Sequence, residues 1–232
     1  MSQTIKNSLT RSNLRNLVLL LSLTSGVFYG ITEEGMLIGF LLLAVGCFLH
    51  LLSKGVLIRN VVLSRKGIYG IIRHPYYLSN YLIDSSFCVL SGNPYLLLVY
   101  PFFFFWAYGP NLRKEEAYLS SKHGNIVTKY TSEIPQIFPD QASFNQWKTF
   151  FEGFCMERIT RKECGRIARF CSSGLLIALI QEIKADGLSV LTDLIHPTWH
   201  DCDEFLFALL AITCYLAGLV LIKMTKRNRY EF

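Results

Sequence analysis

The segment from Gly35 to Leu52, GMLIGFLLLAVGCFLHLL, decides the fold class of this chain. It has no aspartate, glutamate, lysine or arginine along its 18 residues. A helix of about 20 mostly apolar residues crosses the hydrocarbon core of a bilayer. Inside a bilayer, only helices and closed barrels satisfy all of their own backbone hydrogen bonds. The segment therefore predicts a transmembrane helix.

Further apolar stretches precede and follow this segment. They are Leu17 to Ile31, Leu78 to Leu90, Tyr95 to Tyr108, Phe170 to Ile183 and Phe205 to Ile222. Together they predict an all-α fold, a polytopic transmembrane helical bundle of about six passes. The third and fourth passes are short and separated by Ser91-Gly92-Asn93-Pro94, which predicts a tight hairpin between them.

The composition of the whole chain agrees with a membrane protein. Hydrophobic residues make up 51% of the 232 residues and charged residues only 17%, whereas about a quarter of the residues of a soluble domain are charged. The aromatic share of 14% excludes a disordered chain. The seven cysteines contain no C-x-x-C pair, so the sequence indicates neither a zinc site nor a disulfide framework.

The basic residues predict how the chain is oriented in the membrane. With the N-terminus inside, 22 of the 23 lysines and arginines lie on the cytoplasmic side, and only Lys184 lies outside. Because basic residues near membrane helices stay cytoplasmic, this pattern predicts an integral membrane protein with both termini in the cytoplasm. The net charge of +6 then reflects topology and attraction to anionic headgroups, and nucleic acid is not an expected partner.

The chain divides into two parts by the location of its polar motifs. Residues 1–140 form the predicted core, with the motifs in 61–139, and residues 141–232 form a C-terminal extension. The extension contains two further predicted passes and the basic stretch from Glu157 to Arg169, which we expect to lie on the membrane surface. The sequence assigns no function to this extension.

The first motif cluster is Gly67 to Tyr77, GIYGIIRHPYY, between the second and third passes. Pro75 fixes its own φ and disfavours helical geometry at His74, so a helix is predicted to begin at Pro75. A helix N-terminus suits an anionic ligand group, and tyrosines suit a planar ring or a cation. Composition alone favours a simpler interpretation, in which this loop anchors the chain at the membrane interface.

The second cluster runs from Arg113 through Glu115, Glu116 and His123 to Pro139. Neighbouring residues of a helix point about 100° apart, so only one of the two glutamates can face a given site. A carboxylate there either binds a cationic ligand group or pairs with basic neighbours on a solvated helix face. Without further information, the pairing interpretation is favoured.

Taken together, the two clusters resemble the isoprenylcysteine carboxyl methyltransferase and phospholipid methyltransferase family of integral membrane enzymes. The pattern is Gly-x-Tyr-x-x-x-Arg-His-Pro-x-Tyr, then Glu-Glu-x-x-Leu, a Gly, a Tyr and a hydrophobic-Pro pair, and it covers roughly Val61 to Pro139. The resemblance implies S-adenosylmethionine as cofactor and a membrane lipid or lipid-anchored acceptor.

The resemblance also implies roles for individual residues. The positions that match cofactor-contacting places are Leu63, Ser64, Tyr69, His74, Pro75, Tyr76, Tyr77 and Glu115. The candidates for a catalytic or substrate-side role are Arg73, Glu116 and Arg113, with His74 and His123 as further proton carriers. Asn111 stands where relatives often carry a substrate-side arginine, so the acceptor, and whether its reacting atom is oxygen, nitrogen or sulfur, stays open.

Two other functions remain open at this point. Membrane sterol and steroid reductases that use NADPH carry a similar His-Pro-x-Tyr element, although they typically have Asn where this chain has Tyr76. A non-catalytic membrane assembly protein is the other alternative. Asp84 is a further candidate because an ionisable residue inside a membrane pass is costly; it either lines an acceptor channel or hydrogen-bonds across the hairpin.

Overall fold

The structure, a computed structural model, describes residues 11–57, 65–144, 146–187 and 202–227. Within these ranges every regular element is a helix, which confirms the all-α prediction. The long helices are α1 (Arg11–Phe28), α2 (Glu33–Val56), α3 (Pro75–Leu90), α4 (Pro94–His123), α7 (Arg161–Asp186) and α8 (Cys202–Arg227). The short ones are α5 (Asn125–Glu133), α6 (Gln141–Phe144) and 3₁₀ turns at Gly67–Gly70, Trp147–Thr149 and Met156–Arg158.

Helices α3 and α4 form the predicted hairpin. Their rings pair in antiparallel register, Tyr77 with Tyr108 and Tyr81 with Phe104. Asn93 ends the turn by accepting hydrogen bonds from the backbone amides of Tyr95 and Leu96. This side-chain cap satisfies amides that the helix itself leaves unpaired.

The beginning of α3 also follows the prediction. The helix starts at Pro75, after His74 in a non-helical conformation. A proline at the first helical position loses no hydrogen bond, because the first amides of a helix have no partner within it. The loop from Gly67 to His74 therefore leads directly into the bundle.

Close helix packing holds the centre of the bundle together. Helices α2 and α3 meet at Gly46, where a Cβ atom would lie only 2.7 Å from Cγ1 of Ile83. On the opposite flank, α7 lies against α1, α2 and α3, and α8 packs mainly on α7. The C-terminal extension thus contributes one helix to the centre of the molecule and one to its periphery.

Two helices among the described residues are long and apolar enough to cross a membrane by themselves, α2 and the Phe205–Thr225 part of α8. The other four predicted passes lie in α1, α3, α4 and α7, which do not combine the required length and hydropathy. The structure therefore supports membrane association through two helices.

The aromatic run Phe102 to Trp106 belongs to α4. Phe104 is buried, whereas its neighbours in the run are exposed.

The basic stretch from Glu157 to Arg169 is divided between two elements, and its position on a membrane surface stays a prediction. Its first residues belong to a 3₁₀ turn, and the rest forms the first turns of α7, which Thr160 caps through the amide of Glu163. The guanidinium of Arg158 donates to the carbonyls of Gly55 and Val56 at the end of α2. These carbonyls lie in the last turn of α2, where the helix itself supplies no partner, so the arginine joins the stretch to the end of α2.

Candidate functional site

A cavity of about 1030 Å³ lies at the end of the bundle where α1, α3 and α7 begin and α2 ends. Both motif clusters line it. The predicted residues in its wall are Tyr69, Arg73, His74, Tyr76, Tyr77 and Glu115. The two clusters therefore share one cavity, although the α3–α4 hairpin separates them along the chain.

Backbone hydrogen bonds fasten the first cluster to the end of the second. The amide of Arg73 donates to the carbonyl of Pro135, and the amide of His74 donates to the carbonyl of Gln136, both at 2.9 Å. The hydroxyl of Tyr130 donates to the carbonyl of Tyr69 at 2.7 Å. The segment after α5 thus acts as a brace for the loop before α3.

Glu116 belongs to this brace. Its Oε1 accepts hydrogen bonds from Nη1 of Arg73 at 2.5 Å and from Nε2 of Gln136 at 3.0 Å. A carboxylate that holds both an arginine and an amide is already largely neutralised. Glu116 therefore joins α4 to the loop and is not the acid that a ligand would meet first.

Glu115 points into the cavity instead. Its Oε1 accepts a hydrogen bond from the hydroxyl of Tyr77 at 2.6 Å, and its Oε2 lies 3.7 Å from Nδ1 of His74. About half of the side chain, 48%, stays exposed. The two adjacent glutamates thus take different directions, as predicted, and Glu115 is the one that lines the cavity.

His74 is buried beside these acids, and the side chain of Arg73 is 14% exposed. The Nε of Arg73 donates no hydrogen bond within the described part of the chain, although it is shielded from solvent. Burial lowers the pKa of His74 below its ordinary value, more than the charges of Glu115 and Glu116 raise it. The imidazole is therefore neutral at pH 7, and Arg73 keeps an unused donor next to the cavity.

Tyr76 and Tyr77 occupy different environments, although they are adjacent. The ring of Tyr77 lies 5.5 Å from the ring of His74 and edge-on to Tyr108 at 5.3 Å. The ammonium of Lys54 lies 4.0 Å from the centre of the Tyr76 ring, and the centre of the His50 ring lies 4.9 Å from it. Tyr76 therefore already holds a cation, and Tyr77 is the better aromatic neighbour for a ligand.

A second part of the cavity wall comes from α1 and α7 and contains three arginines. Arg15 donates to Asp84 at 2.7 Å and to Asn80 at 2.8 Å. Arg166 donates to both carboxylate oxygens of Glu163. These two arginines and Arg169 line the cavity, and a cation-rich wall attracts anionic groups.

Glu163 connects this wall to α2. Its Oε2 lies 3.0 Å from Nε2 of the fully buried His50, and its Oε1 lies 3.9 Å from Nζ of Lys54. Burial works against ionisation of Glu163, but the hydrogen bond from His50 and the charges of Lys54 and Arg166 outweigh it and lower its pKa to about 2. The carboxylate is therefore ionised at neutral pH and ties α7 to α2.

Some predicted residues do not reach the cavity. Arg113 is exposed and lies two residues before Glu115, which places it on the far side of α4. Pro75 shapes the start of α3 but is not among the residues of the cavity wall. Leu63, Ser64 and the side chain of His123 lie outside the described part of the chain.

Asp84 fits the second of its two interpretations. It is fully buried and accepts a hydrogen bond from the hydroxyl of Tyr100 across the hairpin at 3.1 Å. It also accepts a hydrogen bond from the guanidinium of Arg15 in α1. The sequence did not suggest this partner. Asp84 is not part of the cavity wall. It positions Arg15, and Arg15 lines the cavity.

Several residues of the wall were not singled out by the sequence, namely Ser12, Arg15, Lys54, Tyr108, Arg166, Arg169, Phe170 and Tyr215. They come from helix ends that are far apart in the chain, so no local motif contains them. Among the described residues, no group of three or more histidines, cysteines and acids is placed to hold a metal ion. No family model, curated protein or solved structure matches this chain.

Proposed function

We propose that this chain is an integral membrane methyltransferase that uses S-adenosylmethionine and methylates a lipid-borne or hydrophobic acceptor. The observation that carries the proposal is the position of Glu115. It lies in the wall of a large cavity beside Tyr77 and His74, two of the other residues that the family resemblance assigns to the cofactor. Arg73, a candidate for a catalytic or substrate-side role, lines the same cavity.

The chemistry of these residues fits the cofactor. S-adenosylmethionine carries an ammonium, a carboxylate and a sulfonium beside an adenine ring. Glu115 offers an exposed carboxylate for the ammonium, and the buried Nε of Arg73 offers a donor for the carboxylate. The ring of Tyr77 offers an aromatic face for a cation or a base.

The bound cofactor would supply an electrophilic methyl group attached to a good leaving group. The protein then has to align the acceptor and limit the access of water, and the aromatic residues of the cavity wall, such as Tyr76, Tyr77 and Tyr108, suit both tasks. An acceptor that loses a proton during transfer needs a base, and the neutral imidazole of His74 lies in the wall for that purpose. A carboxylate acceptor needs none.

The direction of the helices supports the predicted six-pass topology with cytoplasmic termini. The cavity end contains Lys54, Arg73 and Arg166, whereas Lys184 lies near the turn before α2 at the other end. By the positive-inside rule, the cavity end faces the cytoplasm. Helices too short or too polar to cross alone can do so when neighbours shield them.

One observation favours the reductase as a second candidate. The cavity is lined by Lys54, Arg15, Arg73, Arg166 and Arg169, and such a set also suits the phosphates of NADPH. Glu115 disfavours it, because a carboxylate repels those phosphates. The two candidates therefore differ in which cofactor the cavity binds, S-adenosylmethionine or NADPH.

Calorimetric titration of the purified protein in detergent, with S-adenosylmethionine and with NADPH, distinguishes them. We expect binding of S-adenosylmethionine and none of NADPH. Glu115→Gln removes the charge but keeps the shape, so the affinity for S-adenosylmethionine should fall about 10- to 100-fold.

Glu157→Gln is the matched control, because Glu157 is exposed and lies outside the cavity wall. This variant should bind like the wild type. Binding of NADPH without S-adenosylmethionine would reverse the order of the two candidates. Absence of both, with the fold intact, would favour the non-catalytic alternative.

A further inference from the structure

The segment of residues 147–156 lies against the flank of α2. The ring centres of Phe150 and Phe151 are 6.3 Å and 6.2 Å from the ring centre of Phe48 in α2. At about 1.5 Å per residue, Phe48 lies about 12 Å before α2 ends at Val56. The 147–156 segment therefore covers the side of α2 over its last turns and not only its end.

Packing and hydrogen bonds hold the segment in this position. A Cβ atom at Gly55 of α2 would collide with the ring of Phe154, so only glycine allows the ring to lie there. The amide of Cys155 donates to the carbonyl of Gly55 at 3.1 Å. The ammonium of Lys66 lies 2.8 Å from the carboxylate of Glu152. These contacts fix the orientation of the segment relative to α2.

The segment exposes large apolar side chains. Trp147, Phe151 and Met156 are 66%, 61% and 70% exposed. The charged residues between positions 147 and 156 are Lys148 and Glu152, so the formal net charge of the segment is zero. A surface of this kind is normally covered by a membrane or by a partner protein.

The exposed apolar face of α2 leads directly to this segment. Leu41, Val45 and Phe48 are exposed and lie at positions i, i+4 and i+7, so they share one face of the helix. α2 is long and apolar enough to cross a membrane, and this face would then contact the hydrocarbon. Phe48 ends the face and is also the residue that Phe150 and Phe151 contact. The continuity of the two surfaces favours lipid over a partner protein.

We propose that the 147–156 segment is an in-plane membrane anchor. It inserts Trp147, Phe151 and Met156 at the boundary between headgroups and hydrocarbon, in the leaflet at the cavity end of the bundle. Amphipathic rings such as that of tryptophan are enriched at this boundary. Because the segment has no net charge, its anchoring depends on apolar side chains and not on anionic lipid. The inference requires that α2 crosses the bilayer, and it is independent of the methyltransferase proposal.

Fluorescence quenching of the full chain in phosphatidylcholine bilayers provides the test. Trp106→Phe with Trp199→Phe leaves Trp147 as the only tryptophan. We expect lipid brominated just below the headgroup to quench Trp147 about twofold more strongly than lipid brominated near the end of the acyl chain. Addition of phosphatidylglycerol, an anionic lipid, should leave this ratio unchanged.

Two relocated tryptophans are the matched controls, each in a chain that also carries Trp147→Phe. Val45→Trp lies on the exposed face of α2 near the middle of the helix, so the deep bromine should quench it more strongly. Thr128→Trp lies on the exposed side of the polar helix α5. Acrylamide in the water should quench this residue, and neither brominated lipid should.

A further substitution tests the apolar basis of the anchor. Phe151→Asp places a charge in the segment, so it should reduce the quenching of Trp147 by the shallow bromine about twofold. Ser132→Asp adds the same charge at an exposed position of α5 and should leave the quenching unchanged.

Four outcomes would overturn the proposal. Quenching of Trp147 by acrylamide alone would show that the segment lies in water. Protection from acrylamide and from both lipids would show that a second copy or a partner protein covers it. Quenching that requires anionic lipid would contradict the apolar basis. Failure of both lipids to quench Val45→Trp would remove the membrane span on which the anchor depends. None of these results bears on the binding of S-adenosylmethionine, which is measured separately.

Discussion

The two walls of the cavity are built in different ways. The wall around Glu115 and His74 is held by several hydrogen bonds between the loop before α3, the end of α4 and the segment after α5. The wall around Arg15 depends on a buried ion pair between α1 and α3. The first arrangement consists of hydrogen bonds that join several segments, and the second depends on charged side chains that are paired with buried acids.

This difference has an energetic consequence. A typical hydrogen bond contributes about 0.5–1.5 kcal/mol, so the loss of one contact in the braced wall is tolerable. Removing one partner of a buried ion pair costs about 3–5 kcal/mol, because the remaining charge has no partner. Single substitutions should therefore affect the α1 wall more strongly than the braced wall.

Asp84→Ala should produce the largest effect on stability. Asp84 is fully buried, and Arg15 beside it is only 20% exposed, so the substitution leaves a buried guanidinium without its carboxylate. We expect a loss of about 3 kcal/mol in the free energy of unfolding, measured by denaturation in detergent.

The double variant Arg15→Met with Asp84→Leu is the control for this prediction. It removes both charges and replaces them with apolar groups, so it should recover most of the lost stability. A loss below about 1 kcal/mol for Asp84→Ala would contradict the view that this wall depends on the ion pair.

Tyr130→Phe should have a smaller effect in the braced wall. The substitution removes only the hydroxyl that donates to the carbonyl of Tyr69 and keeps the ring. Two backbone hydrogen bonds from Arg73 and His74 remain. We expect a loss of about 1 kcal/mol in the free energy of unfolding. A loss as large as that of Asp84→Ala would contradict the view that the brace depends less on any single contact than the α1 wall does.

The pH dependence of His74 should be the smallest of these effects. Because burial lowers its pKa below the ordinary 6.5, the folded state binds fewer protons than the unfolded state in mildly acidic solution. The stabilisation by neutral His74 is complete above pH 6.5 and is lost as the pH falls through the folded-state pKa. His74→Gln should lose less stability than the wild type between pH 7.5 and pH 5; an identical loss would contradict this assignment.

Much of the fold followed from the sequence. The apolar run Gly35 to Leu52, the proline at position 75 and the turn Ser91 to Pro94 each act through local physics, namely apolar length, a fixed φ and backbone capping. The contacts of the stretch Glu157 to Arg169 did not follow, because their partners are distant in the chain. Glu163 meets His50 and Arg158 meets the end of α2, and neither partner is near in the chain.

The candidate site was predictable on one side only. His74 and Glu115 stood in short recognisable patterns, whereas Arg15 and Arg169 are separated by most of the chain and belong to no pattern. The opposite roles of Glu115 and Glu116 followed from helical geometry, but their partners did not. Arg113 is close to Glu115 in the chain, but two residues along a helix it points in nearly the opposite direction and does not line the cavity.

Photo-crosslinking with S-adenosylmethionine tests the central claim most directly. Ultraviolet irradiation of the purified protein with the methyl-labelled cofactor, followed by peptide mapping, identifies the residues that touch it. The account predicts adducts in the peptides that contain Tyr76 and Tyr77 or Glu115, suppressed by excess unlabelled S-adenosylhomocysteine. Adducts confined to other peptides, or labelling that the competitor leaves unchanged, would contradict it.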